Sequence, residues 1–285
     1  MKHFSVYLIR TEVMLFLLTL PFVINAQIGN DAIGSRAVAM GGNNVTLSDI
    51  WATNNNQAGL GFVDDIIGGI YYENRFLLEE ISYKAGAFAM PTKTGAIGLS
   101  VSSFGYELYN ETKIGLAYGM NFGKQFAAGI QLNYLNTKLA QEYGSNTAVT
   151  AALGIITKLT DELTLGVHLY NPTRSKLTNV NNERIPTIMK LGIDYRFSKK
   201  VLLAVSTEKS VGFDANVNAG AEYHVTELFY LRGGISTNPQ QYAFGVGVQL
   251  KHLMVDLSSS FHPTLGVMPT MSIIYSRKKR TKKEL

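Results

Sequence analysis

The stretch IPTIMKLGIDYRFS, residues 185–198, decides the fold. Ile185, Thr187, Met189, Leu191, Ile193, Tyr195 and Phe197 share one parity. Pro186, Ile188, Lys190, Gly192, Asp194, Arg196 and Ser198 share the other. A period of two belongs to an extended strand, whose side chains point alternately to opposite faces. The split recurs over 213–225, where Asp214, Asn216, Asn218, Gly220, Glu222 and His224 oppose an apolar row. It recurs again over 112–122, 126–134 and 242–250.

Such segments begin near residues 66, 79, 94, 111, 125, 146, 162, 185, 200, 212, 228, 240, 253 and 267, fourteen in all. Each runs about 9–13 residues, near the 9–11 that a tilted strand needs to cross a bilayer. The connections at 91–93, 123–124, 160–161, 198–199, 226–227 and 251–252 are tight, whereas most of the alternate ones are longer and more polar. Short turns at one end and longer loops at the other are the pattern of an outer-membrane barrel. The expectation is an all-β, transmembrane antiparallel β-barrel of fourteen strands. An even strand count puts both termini at the short-turn, periplasmic end. A secreted β-sandwich also alternates, but its polar face meets open water and carries charge freely. Here that face is mostly Gly, Ala, Ser, Thr and Asn, which suits an enclosed lumen.

Composition agrees. Of 285 residues, 46 % are hydrophobic and only 16 % charged, below the roughly 25 % of soluble domains. Tyrosine (15), phenylalanine (14) and glycine (27) are plentiful. Aromatics near segment ends, Tyr71, Tyr72, Tyr83, Phe104, Phe122, Tyr195, Phe197 and Tyr275, read as interfacial girdles. Cysteine is absent, which excludes disulfides, thiolate metal sites and a catalytic thiol.

The chain divides into a signal peptide (1–26), a plug (27–65), a barrel (66–276) and a basic periplasmic tail (277–285). In the leader, Lys2, His3 and Arg10 flank an apolar core over 13–24, and Asn25-Ala26 precede the expected cut before Gln27. The plug holds the stretch GSRAVAMGGNNVTLSDIWATNNNQAGLGF, residues 34–62, which lacks alternation and contains the only tryptophan, Trp51. The tail carries Arg277, Lys278, Lys279, Arg280, Lys282 and Lys283. Nucleic acid is not an expected partner of an exported chain; outer-membrane lipid is, and anionic headgroups would attract such a tail.

With the apolar rows facing lipid, the inward set is Lys84, Lys113, His168, Lys190, Asp194, Arg196, Asp214, Glu222, His224, Arg232 and Asp256. Among these, Lys190, Asp194, Arg196, Asp214, Glu222, Arg232 and Asp256 are the expected lumen charge network. A fourteen-stranded lumen is too wide for wall side chains alone to fill. Small inward residues such as Gly115, Gly119, Gly129, Gly220 and Gly245 make room for the plug backbone. A guanidinium buried there needs a carboxylate, so Arg36 is expected to pair with Asp194, Asp214, Glu222 or Asp256. The rest of the inward row reads as small and polar, with Phe88, Met90, Ile188, Leu202 and Met254 as scattered apolar members.

Catalysis finds no support. His3, His168, His224, His252 and His262 have no metal-ligand spacing. Only His262, near Ser258, Ser259 and Ser260, invites comparison with a hydrolase rim. No enzyme activity, cofactor or metal is expected.

The plug carries a family resemblance. Gly34-Ser35-Arg36-Ala37-Val38-Ala39-Met40-Gly41-Gly42, then Asp49, then Asn56-Gln57-Ala58-Gly59-Leu60, resembles the N-terminal signature of the PorV/PorQ family of the FadL-like barrel superfamily. Ser35 stands in a small-residue position, and Gln57 stands where that signature has proline. The resemblance implies a fourteen-stranded outer-membrane component of type IX protein secretion or surface attachment. It would act through a protein partner, a secretion translocon or a surface-attached protein. Phe76, Leu77 and Leu78, between the first two strands, are the candidate contact. Two other readings stand beside it: a FadL-like passive transporter of hydrophobic small molecules, and a structural envelope barrel.

Overall fold

A computed structural model describes residues 31–140, 144–176 and 184–278. The expected leader, and most of the basic tail, lie outside the described residues. Fourteen antiparallel strands form a closed meander: β1 (Ile67–Asn74), β2 (Ser82–Pro91), β3 (Gly95–Gly105), β4 (Tyr109–Phe122), β5 (Phe126–Leu139), β6 (Ser145–Lys158) and β7 (Leu163–Tyr170). They continue as β8 (Ile188–Ser198), β9 (Val201–Ser210), β10 (Asn216–His224), β11 (Phe229–Thr237), β12 (Gln240–Gln249), β13 (Leu253–His262) and β14 (Gly266–Ser276). Closure runs from Ile67↔Ser276 to Glu73↔Thr270. Closing the sheet removes the exposed strand edges that an open sheet would leave. In lipid that is obligatory, because no water is present to satisfy a free edge.

The outer surface is an apolar band. Ile70, Leu99, Leu116, Ile130, Leu132, Val149, Ile193, Val205 and Phe244 all point outward and stay exposed. A soluble protein rarely shows a continuous apolar patch of this kind. Among the described residues no helix is long and apolar enough to span a membrane.

Residues 31–65 lie within the barrel as a plug: helix α1 (Ser35–Ala39) and two 3₁₀ turns, Ile50–Thr53 and Gln57–Phe62. Each is far too short to persist alone. Local caps start two of them: the Asp49 carboxylate accepts from the Trp51 N–H (2.9 Å), and Asn56 Oδ1 accepts from the Ala58 N–H (3.2 Å). The barrel wall holds the rest. A Cβ on Gly119 or Gly129 would collide with Gln57, on Gly154 with Asn56, and on Gly220 or Gly234 with Met40. Glycine weakens a strand interior and marks close backbone approach; here it lets the plug's main chain lie against the wall. Gly41 (φ +73°) and Gly42 (φ +91°) turn the chain after α1 in a region closed to most L-residues.

Several expectations need correction. Lys84 points outward, across from Tyr72, and is exposed. With it, Phe88 and Met90 face lipid, 47 % and 45 % exposed. A lysine at a strand end reaches the headgroup region at little cost, so one charge did not determine the phase of β2. Tyr71 and Tyr83 are not girdle residues; they are buried inside with Phe104 packed against them. Asp214 lies in the exposed β9–β10 turn, because β10 begins at Asn216. The ends of the described stretch lie at opposite ends of β1, while the termini themselves lie outside the described residues. The carboxylate of Asp31, the first described residue, pairs with Arg75 just past the far end of β1 (2.6 Å), whereas Ser276 meets Asp65 at the near end.

Candidate functional site

The plug divides the lumen into two unlike faces. On the β10–β13 side, Arg36 forms a two-pronged ion pair with Glu222: Nε to Oε2 and Nη2 to Oε1, both 2.8 Å. Arg232 donates from Nε to Glu222 Oε2 (2.6 Å) and from Nη1 to Asp256 Oδ1 (2.5 Å). His224 Nε2 lies 3.1 Å from Glu222 Oε1, and Asp49 lies 3.9 Å from Arg36. A Cβ on Gly247 would meet this Arg232–Asp256 pair, so its absence makes the space. Burial alone would lower the Arg36 pKa; Glu222 and then Asp49 override it and raise the pKa above its ordinary value. Forked Arg–carboxylate geometry is both strong and directional.

The other expected network members sit elsewhere. Lys190 pairs with Glu208 on β9 at 2.9 Å. Asp194 is buried on β8. Arg196 shares its inward parity but is exposed at the short-turn mouth. Among the described residues the network is thus Arg36, Glu222, Arg232, Asp256, His224 and Asp49.

On the β1–β4 side the plug packs an apolar and aromatic cluster, beside the inward Ser82, Ser100, Ser102 and Lys113. Trp51 meets Tyr71 edge-on at 5.9 Å, Tyr71 meets Tyr83 at 6.3 Å, and Tyr83 meets Phe104 at 6.4 Å. Ala85, Ala87, Ala89, Ala96 and Ala117 line the wall, and Ile50, Leu60, Val63 and Ile67 continue the cluster toward the short turns. Arg75 covers the top, 5.0 Å from the Phe104 ring centre and 5.7 Å from that of Tyr83. It is held by Asp31 and by Glu73 (3.1 Å), which also accepts from the Tyr71 hydroxyl (2.9 Å). Burial opposes the Arg75 charge, but Asp31 and Glu73 outweigh it and raise the pKa.

Each signature residue of the plug has a structural task. A Cβ on Gly34 would enter the Trp51 ring, and one on Gly59 would strike Ala52 and the Leu47 carbonyl. Met40 is fully buried, with its carbonyl bonded by Asn43 Nδ2 (2.6 Å). Asn56 Nδ2 donates to the Val45 carbonyl (2.6 Å). Gln57 donates to Gln131 Oε1 (2.8 Å), and Gln131 donates back to the Thr53 carbonyl (2.6 Å). A proline at 57 has no amide for that clamp, so glutamine here ties the plug to β5. The Gln131 contribution was not legible, because an inward glutamine on a strand looks like any polar lumen residue.

At the short-turn end a cavity of about 520 Å³ opens below the network, lined among others by Arg36, Asp49, Asp194, Glu222, Tyr230 and Met254. Nearby, Asp65 accepts from the Ser276 hydroxyl (2.6 Å) and from the Lys278 N–H, which locks the β1–β14 seam. Burial raises the Asp65 pKa, but these donors outweigh it and hold it below the usual carboxylate value. Phe76 packs edge-on against His262 (6.3 Å), leaving Leu77 and Leu78 exposed at the long-loop rim. The His262 ring accepts from the Thr264 and Leu265 N–H groups (both 3.2 Å), a turn-capping role.

No protein-family model and no curated protein matches the chain. Solved structures do. The TodX monoaromatic hydrocarbon channel, as a deltaS2 mutant, superposes with TM-score 0.71 at 12 % identity, covering 88 % of this chain and 100 % of that one. The Ralstonia pickettii toluene transporter TbuX gives 0.63 at 13 %, covering 88 % and 99 %. A Pseudomonas aeruginosa FadL homologue gives 0.61 at 14 %, covering 86 % and 98 %. At such low identity the likeness carries the fold alone: the chain is a closed fourteen-stranded antiparallel barrel, similar in fold to these channels.

Proposed function

We propose that the chain is an outer-membrane barrel that passes small hydrophobic molecules along the apolar face of its plug. The observation that carries this reading is the division of the lumen. Aromatic contacts link Phe104, Tyr83, Tyr71 and Trp51 in turn, and Val63 and Ile67 belong to the same apolar cluster. The ionic contacts of Arg36 are kept to the opposite side. A hydrophobic solute loses little on leaving lipid for such a seam, while an ion finds no hydration there. The described neighbours include a toluene transporter and a monoaromatic hydrocarbon channel, which fits the same solute class. Trp51 closes the seam at rest, so passage requires this side of the plug to shift. The test is uptake of labelled toluene by cells expressing the barrel, against cells expressing Ala87→Trp, which fills the seam. Equal uptake by both, at equal barrel abundance, defeats the reading.

A second reading is an accessory role in type IX secretion or surface attachment, through a protein partner. It is favoured by the residue 34–42 and 56–60 blocks and by one structural feature. Phe76 (φ 56°) and Leu77 (φ 59°) adopt a conformation that bulky residues avoid, and Leu77 is left 66 % exposed. Copurification of the tagged barrel from its native membrane separates the two. A translocon or surface protein lost on Leu77→Ser/Leu78→Ser supports the second reading.

A further inference from the structure

The short-turn mouth carries a second pocket, of about 570 Å³, between the β4–β5 turn, β6, β7 and β8. Lys124, Gln125, Lys158, Thr160, Asp161, Thr164 and Arg196 line it. Three cations against one carboxylate leave it with a formal surplus of two positive charges. Lys158 closes β6 and Arg196 lies on β8, so the two flank β7 from either side, across the row Lys158↔Thr164↔Asp194.

What sets these cations apart is where the neighbouring carboxylates go. The Glu162 carboxylate accepts from the Thr160 hydroxyl (2.9 Å). Lys124, Lys158 and Arg196 form no ion pair among the described residues, although Asp161 shares their pocket. Nor is Lys158 a loose surface chain: its ammonium sits 4.0 Å above the centre of the Phe62 ring, the last residue of the plug's second 3₁₀ turn. Cation–π contact fixes the amine without neutralising it. A guanidinium and two ammonium groups around one concavity match an oxyanion with charge near −2, and a guanidinium fork takes phosphate oxygens in pairs.

We propose that this pocket binds a phosphate group at the short-turn mouth of the barrel, with Arg196 and Lys158 as its principal holders and Lys124 closing the site. The phosphate comes either from a soluble phosphorylated molecule or from a phospholipid headgroup of the adjoining leaflet. The site adjoins the cavity below the Arg36–Glu222 network, which Lys158, Asp161, Thr164 and Arg196 also line, and it does not depend on the solute the seam passes. Because Lys158 rests on Phe62, occupancy is felt by the plug.

The full chain is placed in phosphatidylcholine nanodiscs and titrated calorimetrically with inorganic phosphate. In parallel, nanodiscs containing phosphatidylglycerol are analysed by native mass spectrometry for lipid that stays with the barrel. Arg196→Gln/Lys158→Gln is the test variant, and Arg196→Lys is the conservative one; heat-dependent gel mobility verifies that each barrel is folded. Saturable phosphate binding that weakens at least tenfold in the double variant supports the site and a soluble source. Retained phosphatidylglycerol that the double variant releases, without phosphate binding, supports the site and a lipid source. Binding of neither probe, or binding indifferent to the double variant, overturns the proposal.

Discussion

Arg36 and Glu222, 186 positions apart, meet through two parallel hydrogen bonds of 2.8 Å, and this fork pins the plug to β10. Glu222 is fully committed by it, since Arg232 and His224 take its remaining directions. Removing one partner of a buried pair typically costs about 3–5 kcal/mol, because the other charge is stranded. Arg36 is partly exposed (side chain 27 %) and Glu222 keeps Arg232, so the loss should fall near ~3 kcal/mol, the low end of that range. Arg36→Ala should lower the temperature at which the folded barrel loses its gel mobility, and planar bilayers should show new current bursts. A barrel as stable and as quiet as wild type would remove the latch from the account.

The wall glycines make a separate prediction. Gly129→Leu places a side chain where Gln57 now lies, and overpacking of this kind costs roughly 1–3 kcal/mol. The fourteen-strand ladder need not change, so the plug should be the part that yields. Limited proteolysis should then cut within residues 31–65 while the barrel core stays resistant. Cleavage no faster than in wild type would mean that the wall, not the plug, adjusts.

The seam between β1 and β14 should be sensitive to acid through Asp65. Its pKa is held below the unfolded value by the Ser276 hydroxyl and the Lys278 N–H, despite burial. A depressed folded pKa contributes stability above the unfolded value, near 3.9. That contribution is lost as pH falls through the lower, folded value. Asp65→Asn should flatten this dependence and lower stability at neutral pH, measured by heat-dependent mobility from pH 7 downward. Parallel pH curves for the two proteins would assign the acid response elsewhere.

How much of this was legible in the sequence follows from what each signal encodes. Alternation over 185–198 and its kin fixes strand number, because the period belongs to the backbone and survives any ambiguity about faces. Face assignment by charge worked for Glu222, Arg232 and Asp256, which lie within strands where lipid would be costly. It failed for Lys84 and Asp214, which lie where a charge reaches water from either face. That single error on β2 put Phe88 and Met90 inside and took Tyr83, Ala85, Ala87 and Ala89 out of the lumen, which hid the aromatic cluster. The alanine row of β2 (Ala85, Ala87, Ala89) carried the correct phase, as small residues opposite a buried Trp51. Asp31–Arg75 was out of reach, because it joins two loop residues 44 positions apart with no periodic signal.

Trp51 is the residue on which the conduit reading turns. It is 1 % exposed, lies edge-on to Tyr71 and fills the space beside Gly34 and Gly69. Truncation to alanine removes the largest side chain of the seam and costs about 3–5 kcal/mol if the cavity stays open. An apolar cavity of that kind stays dry and accepts small aromatic guests. Trp51→Ala should therefore be less stable yet admit toluene faster, with ion current unchanged because Arg36 and Glu222 still close the other face. The measurement pairs toluene uptake with single-channel recording on the same protein. A rise in both would mean that the plug is released as a whole, and the two lumen faces would then not be separate routes.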